Sequence, residues 1–188
     1  MYFVWLAAVA TPAVMYYIWQ TALLNKRNIL VKNLEAIDEV LKLRLELIPK
    51  LINACSKIAK LDKNLVKEIE AILKIASTDY NKYSRDEVSD HLLVHEKLNY
   101  RVGRLIINAD ANNRDNPDPL VTQAIMAYEE TENKISVVRK AYNESAADLN
   151  MNVAQFPSSM VADIVKISAM PMFNGEHLST SQTDEKDF

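Results

Sequence analysis

From Tyr2 to Leu24 the chain reads YFVWLAAVATPAVMYYIWQTALL, without one charged residue. A helix of about 23 such positions is roughly 35 Å long, enough to cross the hydrocarbon core of a bilayer. The reading is a single membrane span. Tyr2 and Trp5 lie near one end, and Tyr16, Tyr17 and Trp19 near the other, where amphipathic rings favour the headgroup level; Lys26 and Arg27 follow directly. Pro12 is tolerable inside a spanning helix, which can re-satisfy the freed carbonyl locally. A cleaved signal peptide would need a basic leading region and a small-residue cleavage site, and the run closes on Leu23-Leu24-Asn25 instead. A buried core helix is the remaining alternative, but about 18 or more consecutive uncharged residues exceed what most soluble cores need.

Charge sets the expected topology. Lys26, Arg27 and Lys32 crowd one flank of the span, which places the bulk of the chain on the cytoplasmic side and the N-terminus outside. The net charge is −3, so the basic footprint of a nucleic-acid binder is absent. Between Lys26 and Lys60, basic residues at 26, 27, 32, 42, 44, 50, 57 and 60 outnumber acidic ones at 35, 38, 39 and 46. That excess suits a segment leaving an anionic membrane surface, and equally the solvated face of a helix. Cys55 is the only cysteine, so no internal disulfide forms.

With only 2 glycines and 6 prolines, the chain has few breakers and reads as long helices joined by a handful of loops. From Asn28 to Ala59, residues Leu30, Leu34, Ile37, Leu41, Arg44, Ile48, Leu51, Cys55 and Ile58 alternate at three and four, so Arg44 alone breaks an apolar stripe. Val40, Leu43 and Leu47 add a second apolar face and predict a helix covered on two sides. No glycine or proline separates this helix from the span, so the two form one rod, with Pro49 as a candidate bend. Arg44 needs an acid or an exit to water; Glu129, Glu130 and Glu132 are the expected partners, with ligand binding the alternative.

Asp62 caps a helix striped by Leu65, Ile69, Ile72 and Ala76. Ser84 and Glu87 read as a capping box opening a helix striped by Val88, Leu92, His95, Leu98, Val102, Leu105 and Ala109. Asp118 and Pro119 then open a helix of about 36 residues, in which Val121, Tyr128, Ile135, Tyr142, Leu149 and Phe156 recur every seven, with Ala124, Thr131, Val138 and Ser145 as a smaller second row. Such a seam serves either intramolecular packing or an oligomer interface.

The run Ile37-Asp38, Val40-Leu41-Lys42, Arg44, Leu47-Ile48-Pro49, Leu51 resembles the N-terminal signature of the LemA family. Glu130-Thr131-Glu132-Asn133-Lys134-Ile135, then Arg139-Lys140-Ala141-Tyr142-Asn143-Glu144, then Phe156-Pro157-Ser158 resemble its C-terminal signature. The chain departs from the family pattern at Asn150 and at Pro171-Met172-Phe173. The resemblance implies a long-helix antiparallel bundle on one N-terminal span of the inner (cytoplasmic) membrane, without an accepted enzymatic activity.

The expected organisation is therefore all-α: an anchor over 1–25, a cytoplasmic bundle over 26–173 and a disordered acidic tail over 174–188. Met160, Val161, Ile164, Val165 and Ile167 form a short apolar helix that covers the bundle end, or else lies on the bilayer or a neighbouring subunit. Chemistry is sparse. Glu87, His91 and His95 have metal-ligand spacing, but Leu92 stands where a zincin has its glutamate, so a plain helix surface is the expectation and a metal-dependent hydrolase the remote alternative. The stretch Asp110 to Asp118 lacks the glycine and distal glutamate of a calcium loop. No phosphate cradle or serine elbow occurs, so neither a cofactor nor a small-molecule substrate is expected. The expectation is a non-enzymatic membrane scaffold that contacts lipid, self-assembles side by side through exposed apolar rows into an ordered oligomer, and organises or shapes the membrane; the alternative is an adaptor for a membrane protein such as a protease or sensor kinase.

Overall fold

The computed structural model describes residues 2–56, 62–113 and 117–174, and of residues 2–9 the backbone only. The described chain is all-helical: α1 (Tyr2–Cys55), α2 (Lys63–Ala76), α3 (Arg85–Asn113), α4 (Pro119–Ala154) and α5 (Ser158–Ile164). The expected acidic tail lies outside the described residues beyond Asn174.

Local sequence chemistry starts and stops these helices. The Asp62 carboxylate accepts the Asn64 N–H at 2.8 Å and the Asp118 carboxylate accepts the Leu120 N–H at 2.8 Å, satisfying donors that have no partner within the helix. Pro119 occupies the first turn of α4, where its missing N–H is not needed. The capping box at α3 is only half formed. Ser84 Oγ stands at the edge of reach of the Glu87 N–H, at 3.5 Å, while the Glu87 carboxylate accepts the Asn81 N–H at 2.7 Å and so stitches the preceding loop to the helix.

Cross-links between helices fix their directions. Along α1, Lys26 pairs with Asp148, Asn33 donates to the Ala141 carbonyl and Arg44 donates to Thr131, so α1 and α4 are antiparallel and in continuous register. Asp38 meets His91 and Arg44 meets Asn99, so α3 runs parallel to α1. Arg101 of α3 reaches Glu68 of α2 at 3.3 Å across their hairpin. The result is an up-down-up-down four-helix bundle, with α5 folded back onto α1 and α4.

Two apolar clusters fill it. One, towards the N-terminal half of α1, joins Leu30, Leu34, Ile37 and Leu41 to Ile135, Tyr142, Ala146 and Leu149, and takes in Val161, Ile167, Met170 and Phe173 from the C-terminal segment. The other joins Ile48, Leu51 and Cys55 to Leu65, Ile69, Leu98, Leu105, Val121 and Tyr128. The stripe expected on α3 is buried at every position. On α4 the seven-residue row is buried from Val121 to Leu149, but Phe156 is 80% exposed. The row stops there because α4 ends at Ala154 and Gln155 adopts extended dihedrals, so Phe156 is off the helical register. A second correction concerns α1: Leu43 is 40% exposed, so its second apolar face is only partly covered.

α1 is one helix through both Pro12 and Pro49, about 80 Å long at the usual rise. Its residues from Ala10 to Ile18 are uniformly exposed, and cover begins at Trp19 and Leu23. Among the described residues, however, no helix is long and apolar enough to cross a membrane. The expected span began at Tyr2, and its part with described side chains mixes Thr11, Gln20 and Thr21 into the apolar run.

The seam makes a paired prediction. In urea unfolding of the full chain, Leu149→Ala should cost about 2–4 kcal/mol, whereas Phe156→Ala, in the same sequence row, should stay within about 0.5 kcal/mol of wild type. Equal losses would mean that Phe156 is a core residue.

Candidate functional site

Between the two apolar clusters lies a polar layer centred on Arg44, which is 4% exposed. Its guanidinium uses every face. Nε donates to Thr131 Oγ1 at 3.0 Å, Nη1 to Asn99 Oδ1 at 3.2 Å and Nη2 to the Glu132 carboxylate, while the planar group lies 4.8 Å from the centre of the Tyr128 ring. Tyr128 donates in turn to Asn99 Oδ1 at 2.9 Å, and Thr131 to the Tyr128 carbonyl at 2.6 Å. Burial pushes the Tyr128 phenol up to about 12, so it remains a neutral donor. Of the three acids expected for Arg44, Glu132 is the partner; Glu129 and Glu130 are exposed, and Glu130 pairs with Lys134 at 2.9 Å.

One to two turns along α1, Asp38 gathers a second set. Tyr80 donates to both carboxylate oxygens at 3.0 and 3.1 Å, Lys82 Nζ stands 3.1 Å away and His91 Nε2 3.2 Å away. Burial alone would raise the Asp38 carboxyl, but His91, Lys82 and Tyr80 converge on it and hold it below the usual carboxylate range. The Tyr80 ring stacks on His91 at 3.9 Å, and His91 meets His95 edge-on at 4.6 Å. His95 is 4% exposed. Burial, then the neighbouring His91 and Arg44 charges, depress its imidazole to about 4 despite the pull of Asp38 and a hydrogen bond to the Ala76 carbonyl.

Of the three residues at metal-ligand spacing, Glu87 is on the exposed surface as expected, whereas His91 is largely covered and His95 is buried. His91 is spent on Asp38 and Tyr80, His95 is core, and Glu87 turns away to the Asn81 amide. Among the described residues, no three His, Cys, Asp or Glu side chains converge as a metal site. Cys55 is fully buried and burial raises its thiol, which suits packing. A small, partly open hollow beside Arg27, Lys82, Lys166 and Ser168 has about 10 Å³, room for a water and not for an organic substrate.

A third polar set clamps the C-terminal segment. Asn143 exchanges two hydrogen bonds with the Phe173 backbone, at 2.8 and 2.9 Å, and Asn150 does the same with Met170, at 2.7 and 2.8 Å. Seven residues apart on α4, the two amides imitate the edge of a strand. The Tyr142 hydroxyl, pushed up to about 12 by burial, donates to the Pro171 carbonyl at 2.7 Å between them.

The structure therefore assembles most of the residues singled out in the sequence. Ile37 and Ile48 are core, Asp38 and Arg44 are network centres, Glu132 pairs with Arg44, and Tyr142 and Asn143 hold the C-terminal segment. Glu130, Asn133, Pro49 and Phe156 are exposed, and Pro157 precedes α5. Tyr16 and Tyr17 are exposed, Trp19 packs on the core, Lys26 pairs with Asp148 and Arg27 lies 5.1 Å from the Tyr83 ring centre. The side chains of Tyr2 and Trp5 lie outside the described residues. Sequence reasoning missed Asn99, Tyr80, Lys82 and Asn150; the unpaired charges of Arg44 and Asp38 were the available signal that polar partners had to exist.

Fold and polar layers together define a long-helix bundle with a buried polar layer built around an arginine on its first helix. A model of the LemA family matches residues 33–187, and the chain belongs to that family. A search of curated proteins finds no match.

Two outcomes follow. Arg44→Ala, which strands Asn99 and Thr131 and opens a cavity, should cost about 3–5 kcal/mol in urea unfolding, and Glu132→Ala, which leaves the buried guanidinium without a counter-charge, a comparable amount; a loss under about 1 kcal/mol for either would contradict the assignment. For His95, the folded imidazole titrates near 4 and the unfolded one near 6.5, so the unfolded chain binds the extra proton between those values. Stability attributable to His95 is full above pH 6.5 and falls, by about 3 kcal/mol in all, as the pH drops towards 4. A folded His95→Gln variant should lose that part of the slope.

Proposed function

We propose that this chain is a non-enzymatic, membrane-anchored scaffold whose bundles associate side by side into an ordered assembly that organises the membrane. One observation carries the reading: the mostly apolar segment from Ala10 to Ile18, exposed at every position, belongs to the same unbroken helix that supplies Arg44 to the bundle centre. Taken with the apolar residues that precede it, the segment serves as a single-pass anchor in the inner membrane, N-terminus outside, and the bundle projects into the cytoplasm. The apolar side chains left exposed need lipid, and a continuous helix transmits their position to the bundle without a hinge.

Two outward rows support self-association. On α3, Leu93, Tyr100 and Ile107 are 46–61% exposed and seven residues apart, interleaved with Lys97 and Arg104. On α4, Met126, Val137 and Met151 are 52–72% exposed and share their row with Glu130 and Glu144. Both rows mix exposed apolar side chains with charge, the α4 row carrying Lys140 beside Glu144 and Glu130 paired with Lys134, so apolar contact is what an association along them would bury.

Full-length protein extracted in mild detergent should run as a particle several-fold heavier than one chain, and Tyr100→Glu combined with Ile107→Glu should reduce its mass by light scattering while leaving the unfolding midpoint unchanged. Monomers from the wild-type chain would sink the scaffold and favour an adaptor that engages a membrane protein.

A further inference from the structure

Lys26 and Asp148 mark a boundary. On the N-terminal side of Lys26, residues 10–25 carry no charge, and beyond Asp148 residues 149–162 carry none. Because α1 and α4 are antiparallel and these two residues pair, both charge-free stretches occupy the same end of the molecule. Trp19, Val153 and Val165 close that end against the core. Outside them large apolar side chains are exposed among uncharged polar ones such as Thr21 and Gln155: Phe156 is 80% exposed, Met160 60% and Met151 52%, beside Tyr17 at 68% and Ile18 at 54% on α1.

The course of the C-terminal segment orders these side chains in depth. Ile167 and Met170 lie with Leu30, Val31 and Leu149, and Met170 is held by Asn150, so the chain descends along the bundle after its turn at Phe156. Phe156 is thus at the extremity, about 12 Å beyond the Lys26 level, and Met160 lies just below it. The next tier is charged: Lys26, paired with Asp148, then Arg27 and Lys166, which line one hollow, with Asp163 exposed on α5. An uncharged end bearing Phe156, Tyr17 and Trp19, followed by a tier that includes three cations, matches the environments met on leaving a bilayer with anionic headgroups.

We infer that the turn bearing Phe156 and Met160 inserts into the headgroup–acyl boundary of the bilayer, so that the bundle sits flush on the lipid surface and has two membrane contacts instead of one. This inference rests on the anchoring proposed above, and the test separates the two. Full-length chains with Cys55→Ala and a single new cysteine, Val14→Cys, Met160→Cys or Ile107→Cys, are labelled with an environment-sensitive fluorophore and reconstituted into phosphatidylcholine–phosphatidylglycerol vesicles carrying doxyl lipids. All three positions are exposed, so labelling leaves the core intact.

The label at 14 should be quenched by deep doxyl groups. The label at 160 should be quenched by shallow ones at least about threefold more than that at 107 on the far half of the bundle. If the label at 14 is quenched and that at 160 behaves like that at 107, the anchor stands and the second contact is refuted. If the label at 160 is shielded from aqueous iodide yet untouched by lipid quenchers, a second protein copy covers this end and the inference is again overturned. If neither 14 nor 160 is quenched, the membrane reading itself falls.

Discussion

A guanidinium kept almost entirely from water dominates the energetics of this bundle. Removing such a charge from solvent costs several kcal/mol, and the cost is met only when every donor finds an acceptor of the right geometry. Arg44 demands three side chains from two helices, Asn99 from α3 and Thr131 and Glu132 from α4, with the Tyr128 ring beneath. Apolar seams alone tolerate slippage by a heptad, since one layer of leucine resembles the next. A heptad slip here would leave Arg44 unpaired in the core, so the layer sets register as well as orientation. Asp38 repeats the device on the neighbouring turns and draws in the α2–α3 loop through Tyr80 and Lys82.

Because both polar centres sit on α1, that helix is the reference for everything else. The other helices are registered to residues 26–55 of a rod whose side chains from Ala10 to Ile18 are exposed. Position and orientation imposed on the bare end therefore pass directly to the bundle. The C-terminal segment reinforces the same half: Asn143 and Asn150 hold residues 170–173 against α4, and α5 packs on α1 as well as α4. The half nearer the bare end thus carries an additional layer, while the α2–α3 half has only the bundle core.

Much of this architecture is legible in the sequence, for a physical reason. Helices of this length repeat their burial pattern many times, so the periodic rows Val88 to Ala109 and Val121 to Leu149 identify the buried faces without ambiguity. Caps at Asp62 and Asp118 are equally local and equally readable. What periodicity could not supply was the partner across space. Arg44 announced a need for an acid, but the choice of Glu132 over its exposed neighbours depends on the rotation of α4, which only packing sets. The clamp by Asn150 was hidden for a related reason: its partners are backbone groups of an extended segment, which have no sequence signature. Phe156 shows the opposite failure, a residue in perfect row that leaves the core because the helix ends first.

The central claim is that the apolar segment and the bundle belong to one rigid helix when the chain is in a bilayer. Spin labels at Val14 and Lys42, both exposed on α1 and both between its prolines, test it directly by pulsed electron–electron double resonance in reconstituted vesicles. A continuous helix predicts one narrow distribution centred near 42 Å. A broad distribution, or a main population well short of that distance, would mean that the helix breaks at the membrane and that the bundle hangs from a tether.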